Sequence, residues 1–318
     1  MTPRFLAGSL LVFGAVCLAP VSVLAQQHTL KSVAQKALES NPELRQKWHG
    51  YLATAQEREA AWGGYLPKLD LSAGIGRENR DDPLLVRDYT RRSATLTLTQ
   101  MLYDGFATRE EVKRLDHAQQ AKLFELLDAA EVVTLETARA YLDVLRYRKL
   151  VNLAEENYVR HKAVFEQIQE KAKAGVARRV DLEQAAGRLA LAESNLLTET
   201  ANLHDVSARY QRLVGEAPAA DMAADTALVA QGLPADAKQA LVAAEANNPG
   251  LRAAVENLRA AQAAVGTRRA AYQPRVDLKL AGERGSDLNG YTGRTENQTA
   301  EVVLTWNLFN GFSDQARS

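Results

Sequence analysis

The residues best suited to acid–base work or metal binding are five histidines, His28, His49, His117, His161 and His204, and they stand apart without ligand spacing. No carboxylate pair or Ser-His arrangement accompanies them, so the sequence offers no catalytic site, no metal site and no cofactor. Gly74-Ile75-Gly76 is a strand-like glycine pattern with no helix after it, which excludes a phosphate loop. What remains is one concentration of functional groups around Gly175-Val176-Ala177-Arg178-Arg179-Val180-Asp181. Gly175 suits the end of a helix. Asp181 suits the first turn of the next, and with Gln184 three residues on it reads as a capping pair. Groups of this kind cap, pair and recognise; they do not make or break bonds.

Stepping outward from that turn, the elements that must position it are long. From Asp104 to about Ala174 the heptad can be counted through Leu123, Ala130, Thr137, Val144, Val151, Tyr158 and Phe165, with a second row through Leu126, Val133, Ala140, Tyr147, Ala154, His161 and Ile168. Only Thr137 and His161 break the rows. A helix over 104–174 would be on the order of 100 Å long, more than a compact domain needs. A weaker stripe through Leu135, Ala138, Leu142 and Leu145 implies neighbours on a further side. A returning helix over 181–213 makes the pair an antiparallel coiled coil.

Elsewhere the period changes to two. Leu69, Leu71, Ala73 and Ile75 alternate with polar or glycine residues, as do Ala94, Leu96 and Leu98, which predicts strands over 66–77 and 92–103. The polar stretch from Arg77 to Arg91 reads as an exposed loop. Val276, Leu278 and Leu280, then Ala300, Val302, Leu304 and Trp306, predict strands over 274–283 and 299–309. Helices are expected over 29–64, interrupted at Pro42, and over 236–271.

The chain repeats itself. Asn41-Pro42-Glu43-Leu44-Arg45 recurs 207 residues on as Asn248-Pro249-Gly250-Leu251-Arg252, and Tyr65-Leu66-Pro67 recurs as Tyr272-Gln273-Pro274 at the same offset. Leu102-Tyr103-Asp104-Gly105-Phe106 returns as Leu308-Phe309-Asn310-Gly311-Phe312 at an offset of 206. One repeat thus fills 26–232 and a second occupies 233–318. The second stops where the first enters its longest helix, so a complete version is expected to carry roughly another hundred residues or more.

Residues 1–25, with Arg4, an apolar run from Phe5 to Leu18 and the small-residue exit Val23-Leu24-Ala25, have the layout of a cleaved secretory leader. The only cysteine, Cys17, lies within it, so the mature chain has no disulfide or thiolate chemistry. Loss of Arg4 takes the 39 basic residues to 38 against 39 acidic ones, too neutral for a nucleic-acid partner. With no long apolar helix, any membrane span must use strands, and a half-apolar strand of about ten residues has the length and pattern of a barrel strand. Tyr65, Tyr103, Tyr272, Trp306 and Phe309 fall at strand ends, where an interfacial aromatic belt would sit. Two soluble hairpins packed on helices would show the same pattern. Four strands do not close; three copies would give twelve and two copies eight.

These features together resemble the TolC family of outer-membrane efflux and secretion proteins. The resemblance covers 26–318 and is most specific over Ala174 to Ala185. It implies a mainly helical fold with membrane β, in which long antiparallel coiled-coil helices and four strands per chain build a trimeric twelve-strand barrel and a twelve-helix periplasmic tunnel. It further implies a passive duct in the outer membrane of a Gram-negative bacterium, a homotrimer, a periplasmic adaptor protein and an inner-membrane transporter. The look of Leu102 to Asp181 is closer to the type I secretion branch, with a transporter of the ABC class, than to small-molecule efflux. A periplasmic coiled-coil adaptor is the other reading, which the repeated strand pairs disfavour. Residue by residue, Gly175 and Val176 match the tip positions that meet the adaptor, and Asp181 matches a tip acid of the closed aperture, beside Arg178 and Arg179. The lipid-facing strand positions are expected at Leu96, Leu98, Val302 and Leu304.

Overall fold

The computed structural model describes residues 28–82, 85–223, 234–288 and 292–317; the expected leader lies outside them. Helices α1 (Leu30–Ser40) and α2 (Pro42–Trp62) lead into strands β1 (Lys68–Asp82) and β2 (Leu85–Tyr103), then α3 (Ala107–Lys173) and α4 (Arg179–Val214). The order begins again with α5 (Ala237–Asn247), α6 (Pro249–Arg269), β3 (Arg275–Ser286), β4 (Arg294–Thr305) and the short α7 (Ser313–Arg317).

The repeated motifs mark the corners of both halves. At each Asn-Pro the asparagine caps a helix: Asn41 accepts from the Glu43 N–H at 2.9 Å, and Asn248 from the Leu251 N–H at 3.0 Å. The following proline occupies the first turn, where its missing N–H leaves no bond unmade. The helix expected over 236–271 is therefore two helices, because Pro249 cannot continue α5. At the strand-to-helix corners, Gly105 and Phe106 both take positive φ, of 68° and 67°, and Gly311 and Phe312 do the same at 68° and 64°. Asp104 fixes the first corner by accepting from the Thr108 N–H at 2.8 Å, and the Tyr103 and Phe106 rings meet edge to face at 5.5 Å.

One antiparallel sheet takes a strand pair from each half, in the order β1-β2-β3-β4. The stretch 77–91, expected as a loop, instead extends the first hairpin, with pairing carried through to Asp82 opposite Leu85. Charge and hydrogen bonding hold the added length: Arg77 pairs with Asp88, Arg91 lies 3.8 Å from Glu78, and the Tyr89 hydroxyl donates to Glu78 at 2.6 Å. Polar residues on both faces erase the period-two signal while leaving the backbone ladder intact. Strand β4 likewise starts at Arg294, earlier than expected, and ends at Thr305 before the aromatic residues.

Helix α3, with 67 residues, is about 100 Å long. Val133, Thr137, Ala140 and Val144 from its two heptad rows are buried, and the Thr137 hydroxyl has no hydrogen-bond partner among the described residues. Val133, Ala140 and Val144 join Val33, Ala37, Leu44, Tyr141, Tyr210 and Val214 in a core shared by α1, α2, α3 and α4. The Tyr141 hydroxyl lies 2.7 and 2.5 Å from the carbonyls of His28 and Ala223, and Arg148 donates to the Ala219 and Pro218 carbonyls, which straps the segment after α4 onto α3.

Burial, reinforced by the neighbouring Tyr141 and Glu216, pushes the Tyr210 phenol above its ordinary value of 10.0. A raised phenol stabilises the fold fully below the unfolded value and loses that contribution as pH climbs through the folded one. Urea midpoints are therefore expected to hold steady to about pH 10 and fall above it. Tyr210→Phe should flatten that fall.

Candidate functional site

The candidate residues collect in two places, the four-stranded sheet and the turn between α3 and α4. Directly opposed residues of an antiparallel ladder share a face, so the register builds rows across all four strands. Leu69, Leu98, Leu280 and Ala300 form one row, and Leu71, Leu96, Gly282 and Gln298 the next. Leu278 with Val302, and Val276 with Leu304, continue it toward the helices. This face is bare: Leu71 is 73% exposed, Val302 65% and Leu304 62%. The other face carries Asp70, Thr97 and Thr299 in one row and Thr99, Lys279 and Glu301 in another. Among the described residues neither β1 nor β4 has a strand on its outer edge. The aromatic residues at the strand ends all lie at the helix side, with Trp306 donating to the Tyr272 carbonyl at 3.2 Å.

The other place is the turn between α3 and α4. Gly175 has φ +75°, and the N–H groups of Val176 and Gly175 return to the carbonyls of Lys171 and Ala172 at 2.9 and 3.0 Å. This closes α3 as glycine-ended helices commonly close. Val176 is left 78% exposed. The expected capping pair of Asp181 and Gln184 is not formed. Helix α4 already begins at Arg179, its cap residue Arg178 makes no side-chain cap bond, and Asp181 sits in the first turn with its carboxylate 3.3 Å from Arg178. A guanidinium within reach is a stronger partner than an amide, so the acid turns to it. Arg179 lies 3.8 Å from Glu183.

Two groupings escape a reading of the sequence alone. Arg92, Arg284 and Arg294 share the apolar face of the sheet at its hairpin end. Stepping two residues back from Ala94 would have found Arg92. His117 Nδ1 lies 2.7 Å from Glu256, joining α3 to α6 across 139 residues, and no local signal announces that pair. No helix among the described residues is long and apolar enough to cross a membrane, which leaves the strands to be considered.

The sequence profile of the outer membrane efflux proteins matches residues 33–216 and 240–318, most of the chain. The chain belongs to the outer membrane efflux protein family. Among its relatives are the outer membrane efflux protein BepC of Brucella suis, 26% identical over 302 residues, which cover 94% of this chain and 64% of that one. Protein CyaE of Bordetella pertussis is 30% identical over 298 residues, covering 88% and 60%. The fold matches the CmeC outer membrane channel of Campylobacter jejuni with a TM-score of 0.76 at 18% identity, over 90% of this chain and 63% of that one. The chain thus spans somewhat less than two thirds of these relatives. Like the rest of the outer membrane efflux family, it is an outer-membrane protein with helices extending into the periplasm, and its family and fold are those of channel proteins.

Proposed function

We propose that the protein is the outer-membrane duct of a tripartite export system, a passive channel completed by further copies of itself. The observation that carries this reading is a sheet with one bare apolar face and, among the described residues, two unpaired edges, mounted on a helix about 100 Å long that turns back into α4. An edge left open in lipid would strand backbone groups at a cost of several kcal/mol each, so β1 of one copy pairs with β4 of the next. Three copies give a twelve-strand barrel, with Leu96, Leu98, Val302 and Leu304 facing lipid and the threonine-rich face lining water. The exposed stripe of Leu135 and Leu142 on α3 then packs between copies as the staves of the tunnel. A dimer of eight strands is the competing closure, and the mass of the native assembly separates the two.

At the periplasmic tip, Gly175 and Val176 meet an adaptor protein, and Asp181, Arg178 and Arg179 border the aperture. The exposure of Val176, an apolar side chain at a hairpin tip, supports this. A photo-crosslinker at position 176 is expected to capture a periplasmic adaptor in cells, and Val176→Glu to reduce that capture at least roughly tenfold by placing a charge in an apolar contact. Capture of no adaptor, or equal capture by the variant, would remove the tip from the assembly.

The cargo reading is type I protein secretion driven by an ABC-class transporter, supported by the likeness of Leu102 to Asp181 to the secretion branch. Small-molecule efflux is supported by the relative named an efflux protein. Co-purification with an ATP-driven transporter favours the first; partnership only with a proton-driven pump sinks it.

A further inference from the structure

The five aromatic residues lie at the helix-side end of the sheet, and the opposite end of the same bare face is basic. Proceeding toward the hairpins from the row of Leu71 and Leu96, the next row holds Ala73, Ala94, Arg284 and Glu296, and the one after it Ile75, Arg92, Ser286 and Arg294. Three arginines therefore stand in two adjacent rows against one carboxylate. Glu296 is shared, 3.0 Å from Arg284 and also paired with Arg294, while Arg92 makes no ion pair among the described residues. All three arginines line one shallow concavity of about 640 Å³ whose remaining walls include Ala73, Ile75 and Ala94. Charge lies beside apolar surface, as an amphiphile would require.

Depth in the membrane follows from strand geometry. The 12 residues of β4 rise roughly 30 Å along the membrane normal at the usual rise and tilt, against an apolar band of about 25 Å. With Trp306 at the periplasmic interface, Arg294 and Arg92 reach the outer headgroup layer, and Arg284 lies one row inside it with a side chain long enough to extend there. A cation held on the lipid side at that level faces whatever anion the leaflet supplies. Guanidinium groups match phosphate through paired hydrogen bonds.

We infer that Arg92, Arg284 and Arg294 form a binding site for the phosphorylated headgroup of the outer-leaflet glycolipid, with Ala73, Ile75 and Ala94 against its acyl chains. The inference rests on the lipid-facing reading of the sheet. The arginines would then act as an outer-leaflet anchor, as the aromatic belt does at the inner one.

The test uses the protein in its native assembly, transferred to nanodiscs containing either bis-phosphorylated lipid A or the same lipid with both phosphates removed. Native mass spectrometry is expected to find the phosphorylated form retained through washing and the dephosphorylated form lost. The combined variant Arg92→Gln, Arg284→Gln, Arg294→Gln should lower retention roughly tenfold or more. Glu296→Gln should raise it, since the competing carboxylate is gone, and so guards against mistaking a folding defect for lost binding. Equal retention of the two lipids, or retention unchanged in the combined variant, overturns the site. Retention of inorganic phosphate in discs without lipid A as strong as that of the phosphorylated lipid assigns the site to the free ion and overturns the lipid reading. Failure of the unaltered protein to enter the discs at all would bring down the lipid-facing reading itself, an outcome distinct from insertion without lipid preference.

Discussion

Replacing Leu96 and Leu98 with lysine is expected to abolish assembly in the outer membrane. Both side chains point to the bare face, where Leu96 opposes Leu71 and Leu98 opposes Leu69 and Leu280. A lysine at the membrane midplane costs about 2 to 4 kcal/mol, and the charge would recur in every copy sharing the barrel. The control is Thr97→Lys, which opposes Asp70 and Ala281 on the other face and should be tolerated. Fractionation, with unheated gels to show the intact assembly, reads the result. A protein of normal abundance and normal assembly in the Leu96→Lys, Leu98→Lys variant would place that face in water and revive the reading of soluble hairpins packed on helices.

The second large effect is expected at Gly105. Its φ of +68° costs an alanine about 1 to 2 kcal/mol, and a Cβ there would lie 2.5 Å from the Gln273 Cβ and 2.9 Å from the Ala270 carbonyl oxygen. Neither obstacle is the free end of a flexible side chain, so the two halves of the chain must separate locally at a further cost of about 1 to 3 kcal/mol. Gly311 holds the same place in the second repeat with the same φ, yet a Cβ there meets nothing within 4 Å among the described residues. In the single chain, before copies assemble, Gly311→Ala should therefore show only the backbone cost. Urea unfolding of both variants measures the difference, and equal destabilisation would mean that the close approach of Gly105 to the second half contributes nothing.

The sequence by itself determined the elements and their doubling. A heptad sustained over 104–174 can bury its stripe only along a partner helix, Pro42 and Pro249 must stand in first turns, and Gly175 must end α3 because it alone there tolerates a positive φ cheaply. The alternation at Leu69 to Ile75 and Ala94 to Leu98 likewise dictated which residues share a face. These are short-range consequences of backbone geometry and side-chain period. Their signals fade where polarity is equal on both faces, which is why 77–91 read as a loop although its backbone continues the ladder.

Only the tertiary structure decided what depends on pairing between distant segments. It set β2 against β3, and so placed Arg92 beside Arg284 and Arg294 from the other half of the chain. It joined His117 to Glu256 and pressed Gly105 against Gln273. It also turned Asp181 from a cap into the partner of Arg178, because a helix start two residues earlier left that acid within reach of a guanidinium. Register and contact across more than a hundred residues follow from closing a sheet and packing a core as wholes, and no local period records the outcome.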